Sequence, residues 1–197
     1  MIRHLSLALC LSTAFLPGGV AASDTSLYAE PAPEDASFVR FAGFDDVQTA
    51  QFAGKSFNLS DSDDMAYIPV SSAALDGIAP GSFLTVVQQP DGRHAVIPED
   101  SRDAAARVYL FLLNATDDVL ELRTADGAAP VIEDVTPLTS GARAVNPVAI
   151  ALGVFAKGAA TPLVTFDVTL KRGQNLSFIA EASGIRLVEN HFGPVAE

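Results

Sequence analysis

Arg107-Val108-Tyr109-Leu110-Phe111-Leu112-Leu113 is apolar at nearly every position after its first. A strand with one face in water alternates apolar and polar residues, whereas a strand covered on both faces does not. This segment therefore reads as a central strand. A second pattern lies downstream in Val164-Thr165-Phe166-Asp167-Val168-Thr169-Leu170, where apolar and polar residues alternate strictly. That is a half-buried antiparallel strand. Lys171-Arg172-Gly173-Gln174 turns the chain, and Leu176-Ser177-Phe178-Ile179 is expected to return as its hairpin partner. Residues 119–124, 131–135, 149–155 and 185–188 complete a set of about seven strands.

The pattern repeats more weakly upstream, at residues 37–41, 50–53, 56–59, 66–70, 83–88 and 94–97. Turn dipeptides Asp76-Gly77, Pro80-Gly81 and Asp91-Gly92 punctuate it. Only residues 71–75 and 103–106 offer a helical turn, and both are shorter than the ~12 residues of a stable helix. Pro98-Glu99-Asp100-Ser101-Arg102-Asp103 is polar, charged and opened by a proline. The expectation is an all-β chain of two small antiparallel β-sandwich domains, residues 23–97 and 104–197, joined by a short linker at 98–103.

The 197 residues carry 12 bases and 24 acids, a formal net charge of −12. Such acidity argues against nucleic acid as a partner, because phosphate binding needs a basic surface. Hydrophobic residues make up 49% and charged residues 18%, which excludes disorder. The one cysteine, Cys10, supports neither an internal disulfide nor a thiolate zinc site.

Residues 1–22 read as a secretory signal peptide. Met1-Ile2-Arg3-His4 is the basic start, residues 5–16 are mostly apolar, Pro17-Gly18-Gly19 breaks the run, and Val20-Ala21-Ala22 supplies small residues for cleavage. Twelve helical residues span ~18 Å, too short for a ~30 Å hydrocarbon core. Losing Arg3 leaves 11 bases against 24 acids, net −13, with no cysteine. The expected product is exported, not membrane-spanning and free of disulfides. Its charge is uneven: residues 23–97 carry 11 acids and 3 bases, and residues 98–197 carry 13 and 8.

No Gly-x-Ser-x-Gly elbow, Walker loop, dinucleotide glycine fingerprint or His-Glu-x-x-His helix occurs. No catalytic residue, metal ligand or cofactor site is therefore assigned. His94, in an Asp-Gly-Arg-His hairpin, and His191, near the C-terminus, read as exposed structural histidines. Asp61-Ser62-Asp63-Asp64 reads as a solvated acidic loop, because it lacks the glycine and glutamate of a calcium loop. Four residues are candidates for touching a partner. Tyr28 precedes the first strand. Arg40, between Val39 and Phe41, suits a solvent-face or inter-domain salt bridge as well. Arg143 and Asn146 flank an irregular segment ended by Pro147, where Arg143 has Glu133 or Asp134 as possible partners and Asn146 has the local backbone.

Several strings also resemble a known family. They are Leu27-Tyr28, Pro33, Ala36-Ser37-Phe38-Val39-Arg40, Leu122-Arg123-Thr124-Ala125-Asp126-Gly127 and Gly141-Ala142-Arg143-Ala144-Val145-Asn146-Pro147-Val148. Their order and spacing resemble the AlgF family of alginate O-acetylation proteins. The resemblance implies two β-sandwich domains, a periplasmic location and a non-catalytic adaptor role. Such an adaptor would link acetyl-delivering membrane machinery to periplasmic acetyltransferases, which would be its partners. The sequence departs from the family in a short, very acidic first domain. Two other classes stay open at this point: an alginate-binding module, and a polysaccharide O-acetyltransferase or esterase using an unrecognised serine with His94 or His191. Alginate is a polyanion, and a chain of net −13 repels it unless a local basic groove forms.

Overall fold

The computed structural model describes residues 30–44, 47–60, 65–89, 91–102, 104 and 106–196. The expected signal peptide, Tyr28 and the Asp61–Asp64 loop lie outside them. The regular structure of the described chain is nearly all strand: β1 (Ala36–Ala42), β2 (Thr49–Phe52), β3 (Lys55–Asn58), β4 (Ile68–Ser71), β5 (Phe83–Gln88), β6 (His94–Glu99), β7 (Val108–Asn114), β8 (Leu120–Thr124), β9 (Pro130–Val135), β10 (Thr139–Val145), β11 (Ala149–Ala156), β12 (Val164–Thr169), β13 (Asn175–Glu181) and β14 (Gly184–Glu189). Among the described residues one 3₁₀ turn, Ser72–Ala74, sits where a helical turn was expected.

The sheets divide between two halves. The first half holds a four-stranded sheet in the order β4-β1-β5-β6 and the two-stranded β2–β3. The second holds sheets β10-β7-β13-β14 and β12-β11-β8-β9. Most neighbours are antiparallel, but β1 pairs parallel with β5 and β7 pairs parallel with β13. The β2–β3 hairpin closes through Ala53 and Gly54, both at positive φ (48° and 81°), the backbone that matches strand twist in a two-residue turn.

Three apolar layers follow from strand alternation. Val39 and Phe41 of β1 pack with Val86 of β5 against Ala50 and Phe57 of the hairpin. Val108, Leu110 and Leu112 of β7 pack with Phe178 of β13 against Leu122, Leu152 and Val154 of the facing sheet. The remaining faces of β7 and β13 are also buried. Phe111, Leu113 and Ile179 meet Ala42, Val87 and Ile97 from the first half. The sheet of β7 is thus covered on both sides, which explains why the run that follows Arg107, residues 108–113, is apolar at nearly every position.

The expected hairpin between β12 and β13 does not form. β12 pairs only with β11, whereas β13 lies between β7 and β14 in the other sheet. Burial explains the separation. Thr165, Asp167 and Thr169 of β12 are exposed, which suits an edge strand, while β13 is buried on both faces and belongs in the middle layer. Pro98 and Glu99, expected in the linker, are the last residues of β6. The irregular segment around Arg143 is a regular seven-residue strand, β10, laddered to β7 over its whole length.

Gly141 shows how closely the second half packs. A Cβ there would lie 2.5 Å from Ile132 Cγ2 and 3.0 Å from Val135 Cγ2. Both are methyls of β-branched side chains with little freedom to yield. Gly141→Ala is expected to lower the unfolding free energy by about 1–3 kcal/mol through overpacking, read as a lower urea midpoint at unchanged slope.

Candidate functional site

Strand alternation turns Phe38, Arg40 and Ala42 of β1 toward the second half. Ala42 joins the apolar middle layer, but Arg40 brings a guanidinium into it with no side-chain exposure. Every arm of that group is used. Nε donates to Thr85 Oγ1 at 3.1 Å, Nη1 to Asn190 Oδ1 at 2.9 Å, and Nη2 to Glu99 Oε1 at 3.0 Å and Ser177 Oγ at 3.3 Å. Thr85 and Glu99 belong to the first half, Ser177 and Asn190 to the second. One side chain therefore stitches the halves together.

Glu99 is the hub. Its side chain is fully buried. Beyond Arg40 it accepts hydrogen bonds from Thr85 Oγ1 at 2.7 Å, Tyr67 Oη at 2.6 Å and Arg102 Nη2 at 3.0 Å. Arg102 Nη2 also donates to Tyr67 Oη at 2.7 Å. The Arg102 guanidinium lies 3.8 Å from the ring centre of Phe83 and 4.3 Å from that of Phe111, one ring from each half. Its Nη1 is buried without a hydrogen-bond acceptor, and the two ring faces supply the attraction instead. Burial pushes the Tyr67 phenol well above its ordinary value, with Arg40 pulling the other way. Tyr67 is therefore neutral at physiological pH and acts as a donor to Glu99.

A backbone strap reinforces this junction. Past β14, Tyr67 N donates to His191 O at 3.0 Å, Gly193 N to Tyr67 O at 2.8 Å and Ala196 N to Pro69 O at 2.9 Å. The end of the chain thereby lines the β4 side of the first-half sheet. Phe192 of the strap packs on Phe38 at 5.1 Å.

The network holds charge in place; its serine is already committed. Ser177 Oγ donates to Asn190 Oδ1 at 2.8 Å. His94 is exposed against Phe44, 5.0 Å between ring centres, and His191 is exposed on the strap.

The sequence candidates separate in space. Arg40 is buried in the junction, so its contacts lie within the chain and it presents nothing to an outside partner. Arg143 and Asn146 are exposed, on and just past β10. Asp134, expected as a partner of Arg143, pairs with Lys157 at 2.7 Å. Arg143 borders an open cleft of about 310 Å³ together with Asp100, Ser101, Tyr109, Ala142 and Ala144. Sequence reasoning missed Tyr67, Glu99, Arg102, Ser177 and Asn190. The available signal was Arg40 itself, a charge set among apolar strand residues, which demands buried partners.

Two outcomes test the junction. Glu99→Gln leaves two guanidinium groups without their counter-charge. The expected loss is about 3–5 kcal/mol of unfolding free energy, whereas Asp91→Asn, whose partner Arg93 is exposed, should leave the denaturant midpoint close to that of the native protein. Tyr67 gives a pH signature. Its raised folded value means that its contribution is complete below the ordinary 10.0 and is lost as pH rises above it. Unfolding free energy should decline above about pH 10 in the native protein and decline less steeply in Tyr67→Phe, as followed by denaturant titration.

Comparison with known proteins follows the same chain. A family model described as "Alginate O-acetyl transferase AlgF" matches residues 8–177. The "Alginate biosynthesis protein AlgF" of Pseudomonas aeruginosa is 28% identical over 194 residues, covering 92% of this chain and 89% of that protein. The protein of the same name from Azotobacter vinelandii is 30% identical over 148 residues, covering 68% of each. Solved structures of the C-terminal domain of AlgF from P. aeruginosa share 29% identity, cover 43% of this chain and 96% of that one, and give a TM-score of 0.36.

Proposed function

The chain belongs to the AlgF family of alginate biosynthesis proteins, and from that premise we propose that it is a non-catalytic adaptor for alginate O-acetylation. It works in the periplasm after removal of residues 1–22, bridging acetyl-delivering machinery and the acetyltransferases that modify the polymer. Its two units, residues 23–97 and 104–197, serve as two grips. The observation that carries this reading is the buried Arg40–Glu99–Arg102 network, shared by both halves. A bridging protein needs two surfaces at a fixed separation and angle, and a junction of this kind supplies them.

Charge supports the division of labour. Residues 23–97 carry 11 acids and 3 bases, a net negative charge that favours encounter with a basic protein patch. The same acidity repels a polyuronate at long range, so the first unit suits a protein partner better than the polymer.

The test is a binding assay of the mature protein against each purified alginate acetylation protein. The expected result is a complex with at least one of them that weakens as salt rises from 50 to ~500 mM. Acetyl-donor turnover by this chain alone, abolished by His94→Ala or His191→Ala, would assign it to the enzymes instead.

A further inference from the structure

The fate of the basic side chains is informative in so acidic a protein. Among the described residues, six are held in ion pairs: Arg40 and Arg102 on Glu99, Arg93 on Asp91, Arg123 on Glu121, Lys157 on Asp134 and Arg186 on Glu181. Lys55 is engaged as well. Arg107, Arg143, Lys171 and Arg172 are all exposed, and none is in an ion pair with a described carboxylate.

These four residues come from three separate stretches of sequence and meet at one end of the second half. Gly173 N donates to Arg107 O at 3.2 Å, which ties the Lys171–Arg172 turn to the start of β7. The Arg107 guanidinium donates to Ala144 O at 3.1 Å, beside Arg143 on β10. Leu170 N donates to Val148 O at 2.9 Å, closing the loop that carries Asn146 against the same turn. Val148 is 48% exposed there. Asp100, in the cleft beside Arg143, and Glu189, which ends β14, pair with none of the four.

We infer that the end of the second half formed by Arg107, Arg143, Asn146, Val148, Lys171 and Arg172 docks a compact acidic surface of a partner protein in the acetylation apparatus. The inference rests on the adaptor reading and gives the second grip a location and a sign. Four like charges held together repel one another, and a carboxylate cluster relieves that repulsion. Arginine forks match carboxylates in a bidentate way. A protein fits better than the polymer for two reasons. A long polyanion would run beyond these four charges onto a chain of net −13 (11 bases against 24 acids once residues 1–22 are removed), whereas a compact patch feels only the field within a Debye length of about 8 Å. The surface also mixes arginine with an exposed aliphatic residue and an amide, the composition of a protein interface.

The experiment uses the full mature protein, each purified alginate acetylation protein and, separately, polymannuronate oligomers as probes. Arg143→Glu with Arg172→Glu is compared with Arg93→Glu with Lys157→Glu, which changes net charge equally elsewhere on exposed side chains. Thermal melts of both variants report that the fold is retained. The expected result is one partner complex weakened about tenfold or more by the first pair, with a shallower salt dependence, and changed less than about threefold by the second. Partner complexes indifferent to the first pair, or weakened equally by both, overturn this inference and leave the adaptor reading standing. Absence of any complex with the native protein overturns both. Binding of polymannuronate that the first pair abolishes also overturns it, by making this end a polymer site.

Discussion

Two guanidinium groups and one carboxylate lie between the sheets beside a largely apolar middle layer, and the arrangement of the molecule depends on how that charge is met. Removing ions from water costs several kcal/mol each, and only well-formed partners repay it. Here repayment requires groups from both halves. Arg40 reaches Asn190 and Ser177 in the second half and Glu99 in the first. Arg102 lies against one aromatic ring from each. Apolar contact alone tolerates sliding and rotation of one sheet over another. A network whose hydrogen bonds fit one orientation does not, so the cluster selects the register of the middle layer where Phe111, Leu113 and Ile179 meet Ala42, Val87 and Ile97.

Much of the fold was legible because strand burial writes itself into local pattern. The unbroken apolar run at β7 marks a layer covered twice, and the strict alternation at β12 marks an edge. What local pattern does not carry is partnership at long range. Two strands separated by a four-residue turn look like a hairpin, yet here the turn carries the chain from one sheet to the other. The linker was misleading for a related reason. Glu99 and Arg102 are polar and lie near a proline, the usual marks of a solvated connection, but their side chains are buried by groups up to dozens of residues away. Arg40 could be read as a salt-bridging residue from its apolar neighbours. Its bond to Asn190, 150 residues on, has no local signature.

The same separation of local and global information governs the surface. The first half's acidity is visible by counting. The basic end of the second half is not, because Arg107, Arg143 and the Lys171–Arg172 pair become neighbours only through the β7–β10 ladder and the turn before β13. Folding therefore adds, to an acidic first half that the sequence already shows, a local basic end on the second half among the described residues. In the proposed adaptor, a rigid junction would give that polarity a fixed direction and so hold two partners in a set relation to each other.

The most direct test of this account is the relative orientation of the halves in solution. Residual dipolar couplings from backbone amides of β1, β5 and β6 and of β7, β11 and β13 would be measured on the isotopically labelled protein lacking residues 1–22 in a weakly aligning medium. The expected result is that one alignment tensor fits both sets, with equal magnitude and direction. Separate tensors of different magnitude would show the halves reorienting independently, and would contradict the claim that the buried arginine network holds them as one body.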